Sequence, residues 1–431
     1  MRLTHFALLA CTALVLAGCN DTLETVERDV SHVKNKVDYP LSPAILAEID
    51  KRGMDRTSPI MIRIFKEEGA LEIWKARRDN RFEKIAGYEI CAWSGKLGPK
   101  VKEGDRQAPE GFYNLTPAHL NPNSKYYLAI NTGFPNRYDA ANGRNGTNLM
   151  IHGACSSSGC YSMTDAQILE IYGFARDAFK GGQKTVQLQA FPFRMTAENM
   201  ARHRQSEHLE FWKMLKVGYD NFEVTKRPPE VNVCEKKYVF NQQTEGGSFN
   251  AAAQCPPMST PPALVSALSS YEKTYDLAYE KAMKKYDGMA WYDPSEAERK
   301  ALVAEKRKGR EPAYAPTGSA LKAGKLMKET EYAALMEKKA QQVTSSSPAT
   351  SATASALRGP RPSATQPAAP QSNPAPAAPT MVAAATPAAA GQTSTAAQGV
   401  PVPTMNPLAY SPAPAPEAPE KKPFWKFWAK E

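Results

Sequence analysis

The stretch from residue 151 to residue 165 reads Ile-His-Gly-Ala-Cys-Ser-Ser-Ser-Gly-Cys-Tyr-Ser-Met-Thr-Asp. It places an imidazole, a thiol that directly follows a glycine, and several small hydroxyl side chains in one short segment. A thiol attacks a carbonyl as the thiolate, and a nearby imidazole is the usual group that takes its proton. We therefore interpret Cys160 as a candidate nucleophile and His152 as its candidate base.

The residues directly before the thiol suit a substrate carbonyl. Gly159 carries no side chain, so a carbonyl could approach closely, and its backbone N–H is a candidate donor to the developing oxyanion. Ser158 is a candidate substrate-binding residue for the same reason of position.

The flanks of this stretch predict a strand before it and a helix after it. Residues 148–151 are a short apolar run that indicates a buried strand delivering His152. Thr164 followed by Gln167 is typical of a capping box, and apolar residues then recur at helical spacing. We expect Cys160 to lie just before the helix N-terminus, whose positive end would favour the thiolate and an ion pair with His152.

Other roles for these side chains stay open at this point. A cysteine is most often buried and inert or half of a disulfide, and a single histidine is usually structural. Zinc bound by His152, Cys155 and Cys160 is a further option, but a fourth ligand and a Cys-x-x-Cys pair are not visible nearby. We expect no metal and no cofactor.

Motifs well beyond this stretch carry a family resemblance. They are Arg63-Ile64-Phe65-Lys66-Glu67-Glu68, Trp93-Ser94-Gly95-Lys96-Leu97-Gly98-Pro99-Lys100, Glu103-Gly104-Asp105, Pro109-Glu110-Gly111-Phe112-Tyr113, Asn131-Thr132-Gly133-Phe134-Pro135-Asn136, Gly143-Arg144 and Phe191-Pro192-Phe193-Arg194-Met195-Thr196. With His-Gly and Ser-x-Gly-Cys, the chain resembles the L,D-transpeptidase catalytic domain (YkuD) family, in its YafK-like branch. The resemblance covers roughly Pro59 to Val224.

The resemblance implies roles for single residues. Cys160 would be the nucleophile, His152 the base, and Gly153 the residue whose backbone carbonyl orients the imidazole. Most members have Ser-His-Gly-Cys followed by Arg, whereas this chain has Ser157-Ser158-Gly159-Cys160-Tyr161. This difference affects what the resemblance implies about the acceptor and the substrate contacts, but not the roles of Cys160 and His152.

Alternating apolar and polar residues predict strands through much of the same region. The predicted strands are near residues 60–65, 71–74, 88–93, 126–130, 149–151 and 185–190, with a long loop over residues 94–111. The fold class is therefore α+β, a mainly antiparallel core with flanking helices, in agreement with the β-sandwich of the family. A second helix is predicted from Thr196 to Val217, with His203 and His208 on its surface.

The N-terminus resembles that of a bacterial lipoprotein. Arg2 precedes the apolar run 6–16, and Leu16-Ala17-Gly18-Cys19 is typical of a lipobox. We expect cleavage before Cys19, lipidation of its thiol, and a periplasmic protein on the inner leaflet of the outer membrane, since Asn20 is not the aspartate that favours inner-membrane retention. Leu23 to Val37 has the spacing of a short amphipathic helix.

Beyond Val224 the resemblance fades. Cys234 and Cys255 bracket a polar loop and could form a disulfide in an oxidising compartment, while Cys91 and Cys155 are either paired or buried. A helix is predicted from Ala263 to Tyr286, with a tyrosine at every fourth position (Tyr271, Tyr275, Tyr279) that favours packing onto the main domain.

Composition completes the predicted domain order. It is a signal peptide (1–18), a lipidated linker with the amphipathic helix (19–55), a catalytic domain (56–235), a mostly helical extension (236–343), an Ala/Pro/Ser/Thr-rich disordered linker (344–420) and an aromatic-basic tail (421–431) that suits a membrane interface or a partner groove. The net charge of +10 favours anionic partners. Nothing indicates a nucleic-acid module, a phosphate-binding loop or a dinucleotide site.

The family resemblance, with the lipoprotein-like N-terminus, implies a periplasmic cysteine acyltransferase acting at meso-diaminopimelate of peptidoglycan stem peptides through a thioester on Cys160. The acceptor stays open: another diaminopimelate amine, a lysine of an outer-membrane lipoprotein or another protein, or water, which would make the enzyme a hydrolase that releases such links. Arg137 and Arg144, on the loop before the His152 strand, are candidates for a substrate carboxylate. The non-enzymatic alternative is a tether that only binds peptidoglycan.

Overall fold

The computed structural model of the protein describes residues 29–155, 159–308 and 324–345. The expectations for the signal peptide, Cys19, Ser158 and the tail after residue 345 lie outside the described residues. The described residues up to Thr344 belong to one compact unit.

Two five-stranded sheets form the centre of the fold. The first sheet has the order β3-β2-β1-β10-β5. Its strands are β1 (Ile60–Phe65), β2 (Ala70–Ala76), β3 (Phe82–Glu89), β5 (Gly111–Leu115) and β10 (Val186–Phe191). Neighbours pair antiparallel except β1 with β10, so the prediction of a mainly antiparallel core is confirmed.

Strand β1 is buried on both faces, although its sequence alternates. Arg63, which occupies the face expected to be polar, is only 1% exposed. Its guanidinium donates to Glu223 at 2.7 Å and lies 4.4 Å from the ring of Tyr219 and 4.6 Å from that of Phe222. A helix therefore covers this face, and the arginine is stabilised by one carboxylate and several aromatic rings.

The second sheet carries the candidate site and has the order β4-β9-β8-β7-β6. Its strands are β4 (Ala92–Trp93), β6 (Leu120–Asn121), β7 (Ala129–Asn131), β8 (Met150–His152) and β9 (Tyr161–Ser162). Strand β8 lies in the middle, antiparallel to β7 and parallel to β9.

Helix α3 (Asp165–Lys180) packs between the two sheets and contacts β1, β7 and β8. Thr164 is its N-cap and forms the predicted capping box with Gln167. Apolar residues from both sheets and from α3 share one hydrophobic core, among them Ile62, Ile151 and Ile168. The helix that follows the thiol therefore fixes the second sheet against the first.

The described part of the expected N-terminal amphipathic helix is not helical. Residues 29–42 form turns and extended chain, and α1 begins only at Pro43 and ends at Lys51. Asp29 and Asn35 accept backbone N–H groups of Ser31 and Asp38 through their side chains. Such local bonds compete with helix formation, so the prediction is wrong for these residues.

The helix predicted from Thr196 to Val217 is two helices, α4 (Ala197–Arg202) and α5 (Leu209–Thr225). Between them the Ser206 hydroxyl accepts the backbone N–H of His208 at 3.2 Å, which favours a turn. The surface position predicted for His203 is also wrong. Its ring stacks on Phe193 at 4.4 Å and its Nε2 lies 3.0 Å from Glu67, so a buried partner holds it.

The remaining elements flank this core. They are the short helices η1 (Pro117–His119) and α2 (Arg137–Ala141), the hairpins β11 (Val231–Cys234) with β12 (Lys237–Phe240) and β13 (Gln243–Thr244) with β14 (Met258–Ser259), helix α6 (Pro262–Lys285), β15 (Met289–Tyr292), α7 (Glu296–Arg307), β16 (Lys325–Lys328) and α8 (Glu329–Ser345). Cys234 and Cys255 form a disulfide with a Cα–Cα distance of 5.1 Å. The boundary expected at residues 235–236 falls in the turn of the first hairpin.

Helix α6 agrees with its prediction and packs against α4 and α5. Lys216 of α5 lies 3.4 Å from the ring centre of Tyr275, and Tyr275 stacks with Tyr279 at 6.0 Å. The tyrosines therefore serve packing, as expected. Within the described ranges, the helices are all too short or too polar to cross a bilayer.

Candidate active site

Cys160 lies directly before β9, whose first residue pairs with Ile151 of β8. The thiol is half-buried, and its Sγ lies 3.6 Å from the carbonyl oxygen of Asn148. Gly159 has φ 108°, and a Cβ there would lie 3.7 Å from the carbonyl oxygen of Gln107. The glycine thus permits a backbone conformation that other residues rarely adopt and seats the thiol against the long loop.

A disulfide holds the loop that follows His152. Cys155 is bonded to Cys91 with a Cα–Cα distance of 5.2 Å, so the first of the two alternatives for these cysteines is found. The N–H of Cys155 donates to Met163, and that of Cys91 donates to Ser162. Cys155 is therefore unsuited as a zinc ligand, and no cluster of metal-ligating side chains occurs in the described part of the chain.

His152 is the last residue of β8 and is 3% exposed. Its Nδ1 lies 2.6 Å from the carbonyl oxygen of Gly153. Since a carbonyl can only accept, Nδ1 carries the proton and Nε2 is the acceptor in the neutral ring. The ring also packs against Tyr126, with 4.6 Å between ring centres. Two contacts therefore fix both the tautomer and the orientation of the imidazole.

Burial sets the charge state of the two groups. It raises the pKa of the Cys160 thiol, against which a backbone hydrogen bond from Met150 and the charge of Lys100 act. Burial lowers the pKa of His152, and the bond to Gly153 acts against it. Both directions favour a neutral thiol and a neutral imidazole near pH 7, against the resting ion pair expected from the sequence.

The helix N-terminus follows the thiol after a two-residue strand. Strand β9 intervenes, and α3 begins only at Asp165. The Asp165 carboxylate instead accepts the backbone N–H of Ala154 at 2.8 Å, which connects the helix start to the loop after His152. The helix begins where the capping box predicts, and the action of its dipole on Cys160 stays a prediction.

A buried ion pair anchors both ends of the loop over residues 94–110. Lys66, at the end of β1, is fully buried and lies 2.8 Å from Oε1 of Glu110. Its Nζ also donates to the carbonyl oxygens of Lys96 at 2.8 Å and of Ala108 at 3.1 Å. The other Glu110 oxygen accepts the indole N–H of Trp212 at 2.9 Å. One cation and one carboxylate thus close the loop at its base.

The outer part of this loop contacts the loop that precedes β8. Asn145 accepts the N–H of Glu103 at 2.8 Å, and Glu103 accepts the N–H of Thr147 at 2.7 Å. Lys100 is 3% exposed and donates to Asp105 at 2.5 Å. The two loops therefore form one wall beside the thiol, and Lys100 places a positive charge within it.

The two candidate substrate arginines are already bonded to the protein. Arg144 donates to Asp139 at 3.1 Å, and its guanidinium lies 4.9 Å from the ring centres of both Tyr138 and Phe211. Arg137 is exposed and donates to the carbonyl oxygen of Phe249 at 2.6 Å. A substrate carboxylate would have to compete with these partners.

The C-terminal extension reaches the same wall. Asp293 accepts the backbone N–H of Leu97 at 3.3 Å and forms an ion pair with Arg299. The Arg299 guanidinium lies 4.7 Å from the ring centre of Trp93, which pairs with Tyr161 directly after the thiol. The extension therefore supports the long loop and the strand beside Cys160.

Sequence reasoning gave no role to Lys66, Glu110 or Tyr126. The first two lie within motifs that carry the family resemblance, and a lysine directly after a buried strand is a usable signal, because a buried ammonium needs a partner. Tyr126 gives no such signal, since its place beside His152 depends on the pairing of β7 with β8.

Comparison with known proteins agrees with this geometry. The family profile "YkuD: L,D-transpeptidase catalytic domain" matches residues 68–186. The chain is 48% identical over 185 residues to the "Putative L,D-transpeptidase YafK" of Escherichia coli strain K12, which corresponds to 43% of this chain and 75% of that protein. The protein of the same name from Escherichia coli O157:H7 gives the same values of 48%, 43% and 75%.

Two solved structures show a weaker likeness. The helical cell shape determining protein Pgp2 from Campylobacter jejuni has 16% identity and a TM-score of 0.27, over 58% of this chain and 80% of that one. Bd1075 from Bdellovibrio bacteriovorus has 19% identity and a TM-score of 0.24, over 56% and 75%. These scores add nothing to the conclusion from the sequence relatives. With 48% identity over three quarters of a curated relative, the chain belongs to the L,D-transpeptidase (YkuD) family.

Proposed function

We propose that this protein is a cysteine acyltransferase that acts on peptidoglycan stem peptides at meso-diaminopimelate, with Cys160 as nucleophile and His152 as base. The observation that carries the proposal is the contact of His152 Nδ1 with the Gly153 carbonyl oxygen at 2.6 Å. It leaves Nε2 as a proton acceptor. His152 ends β8, which is paired in register with β9, the strand that begins directly after Cys160.

The first half-reaction forms a thioester. Nε2 of His152 takes the thiol proton while Sγ bonds to the carbonyl carbon at the L-centre of diaminopimelate. The tetrahedral oxyanion collapses, the C–N bond breaks, and the electron pair goes to nitrogen. The imidazolium returns its proton to that nitrogen, so the amine leaves and the acyl group stays on sulfur.

The second half-reaction transfers the acyl group. A primary amine attacks the thioester carbon, His152 takes its proton, and the C–S bond breaks with the proton returning to sulfur. A diaminopimelate amine would give a cross-link, and a protein lysine would give an anchored protein. Water in place of the amine would make the enzyme a hydrolase. Each case regenerates the same neutral pair.

Other residues of the proposed site have supporting roles. The backbone N–H of Gly159 is the proposed oxyanion donor, and Ser158 the proposed substrate contact beside it. Arg144 and Arg137 remain proposed carboxylate contacts, although the described contacts engage both guanidinium groups. Lys100 adds a positive charge that acts on the thiol and suits an anionic substrate.

We further propose a lipid on Cys19 that holds the enzyme in the periplasm at the inner leaflet of the outer membrane. An outer-membrane lipoprotein or other protein is then a possible acceptor or substrate within reach. Fractionation of cells that express the wild type or Cys19→Ala tests this point. We expect the wild type in the outer-membrane fraction and the variant in the soluble periplasm or unprocessed; a wild type recovered as soluble protein would contradict it.

The enzymatic proposal is tested with the purified protein. Sacculi are digested with the wild type, Cys160→Ala and His152→Ala, and the muropeptides are identified by mass spectrometry. We expect altered muropeptides with the wild type alone, and the products name the acceptor. Intact-protein mass spectrometry should detect an acyl adduct on the wild type that Cys160→Ala lacks.

Two outcomes would overturn the proposal. Turnover by Cys160→Ala would remove the thioester mechanism. Wild-type protein that binds sacculi but changes no muropeptide would favour the non-catalytic tether. Circular dichroism of each variant verifies folding, because a small half-buried side chain contributes little to the core.

A further inference from the structure

Tyr126 is a large, half-exposed side chain beside a buried base. Its side chain is 49% exposed, whereas His152 is 3% exposed, and their ring centres lie 4.6 Å apart with 36° between the planes. Within the described ranges, the Tyr126 hydroxyl makes no hydrogen bond that would direct the ring into the protein. The ring therefore covers one side of the imidazole and presents the rest of its surface outward.

The backbone fixes this position. The carbonyl oxygen of Tyr126 accepts the N–H of Gly153 at 3.1 Å and of Leu128 at 2.9 Å. A Cβ on Gly153 would lie 2.9 Å from the same oxygen, so the chain approaches there as closely as a glycine permits. The contact between the Tyr126 carbonyl oxygen and Gly153 thus fixes the position of Tyr126 relative to His152.

The next residue turns away and holds the segment from the other side. Tyr127 has φ 69°, a left-handed conformation that is costly for an aromatic residue. Its hydroxyl donates to the carbonyl oxygen of Val30 at 2.8 Å, and Lys36 lies 3.9 Å from its ring centre. Because Tyr127 faces the N-terminal segment, Tyr126 is left to face the site.

We propose that the exposed face of Tyr126 binds the aminoalkyl chain of the amine that leaves or enters at His152. This inference rests on the proposed function and names the chemistry of one of its subsites. The amine nitrogen must come within hydrogen-bond reach of Nε2 in both half-reactions. The methylenes of an attached chain then lie along the neighbouring aromatic ring, and its ammonium form is attracted to the ring face.

Leaving-group chemistry provides the test. Three substrates share one stem tripeptide and differ in the amine on the L-centre carboxyl of diaminopimelate: the ε-amine of Nα-acetyl-lysine amide, an amine of free diaminopimelate, or methylamine. In each case the amide C–N bond breaks, the acyl group passes to sulfur, and His152 protonates the amine. Water or one common acceptor amine in excess then takes the acyl group from sulfur, which regains its proton. Methylamine has no chain to contact Tyr126, so it is the matched control substrate.

We expect Tyr126→Leu to raise KM for a chain-bearing substrate roughly five- to tenfold, because cation–π and methylene contacts are lost. Because the ring also packs against His152, kcat should fall by a similar factor on all three substrates, whereas KM for the methylamide should stay within twofold. Tyr126→Phe, which keeps the ring, should behave as the wild type. If the KM rises for only the lysine substrate or only the diaminopimelate substrate, that substrate identifies the source of the chain. Tyr279→Leu, on α6, is the control variant and should change none of the values.

The opposite results are equally clear. KM values that rise equally on all three substrates with Tyr126→Leu would mean that the ring acts only through His152, and unchanged KM values would mean that no chain binds there. Either result overturns this inference. The proposed function still stands in both cases, provided that the wild type cleaves the substrates. Failure of the wild type to cleave any of the three substrates would instead remove the proposed function, and the subsite with it.

Discussion

The Nδ1 atom of His152 and the carbonyl oxygen of Gly153 lie 2.6 Å apart, so neighbouring residues of one strand end fix the tautomer of the proposed base. This short distance is possible because Gly153 has no side chain. A Cβ there would contact the Asp165 carboxylate, lie 2.9 Å from the Tyr126 carbonyl oxygen and 3.1 Å from Ile168. Two of these neighbours also belong to the support of the site.

Gly153→Ala should therefore displace the imidazole. We expect kcat/KM on stem peptides to fall roughly a hundredfold, because a displacement of about 1 Å in a catalytic group has that effect. Gly182→Ala is the control, since it strains a glycine with φ 93° at the opposite end of α3 without touching His152. Similar activity losses in both variants would mean that reduced stability alone explains the effect.

The resting charge state predicts how Cys160 reacts with pH. Burial raises the pKa of the thiol and lowers that of His152, and both directions favour the neutral forms near pH 7. The rate of alkylation by iodoacetamide should then rise with pH along a curve centred above the ordinary thiol pKa of about 8.5. Mass spectrometry of the labelled Cys160 peptide gives the rate at each pH.

A rate that stays high down to about pH 5 would show a resting thiolate and restore the ion pair. His152→Ala separates the two cases. It should leave the alkylation curve nearly unchanged while turnover is lost, because the imidazole acts during the reaction and not before it.

The alternating strands, the helix after the thiol and the closeness of His152 to Cys160 could be predicted, because local periodicity and capping residues determine them. The burial of Arg63, the break between α4 and α5 and the position of His203 could not. These depend on which element covers which face, and that is set by distant residues such as Glu223 and Glu67. The charge state of the thiol could not be predicted for the same reason, because it depends on how deeply the folded chain buries Cys160.

Lys66→Met should loosen the long loop. It leaves the buried Glu110 carboxylate without its cation, and breaking such a pair typically destabilises a protein by about 3–5 kcal/mol. We expect a lower free energy of unfolding in urea and faster proteolysis within residues 94–110. Lys96→Met, an exposed lysine in that loop, is the control and should resemble the wild type. Unchanged proteolysis in Lys66→Met would mean that the pair does not hold the loop.

Arg144→Lys distinguishes a structural role from substrate binding. Lysine keeps the charge but loses the planar group that lies over Tyr138 and Phe211 and bonds Asp139. We expect a loss of about 1 kcal/mol in unfolding free energy together with a raised KM, because the fork is also the proposed contact of a substrate carboxylate. An unchanged KM at reduced stability would assign Arg144 to a structural role alone.

Asp220, on α5 beside the tyrosines of α6, should make stability depend on pH. Burial raises its pKa to about 6, against the opposing effect of Lys216, and its buried Oδ1 has no hydrogen-bond partner among the described residues. The folded state therefore binds this proton more tightly than the unfolded chain, whose carboxyl titrates near pH 3.9, so the group lowers stability as pH rises from about 4 to above 6.

Asp220→Asn removes that penalty. We expect the variant to gain stability relative to the wild type on going from pH 4 to pH 8, by up to about 3 kcal/mol, in urea unfolding followed by tryptophan fluorescence. Asp276→Asn, an exposed carboxyl on α6, is the matched control and should show no such gain. If the difference between Asp220→Asn and the wild type is the same at both pH values, Lys216 compensates the buried charge fully and the contact between α5 and α6 is insensitive to this proton.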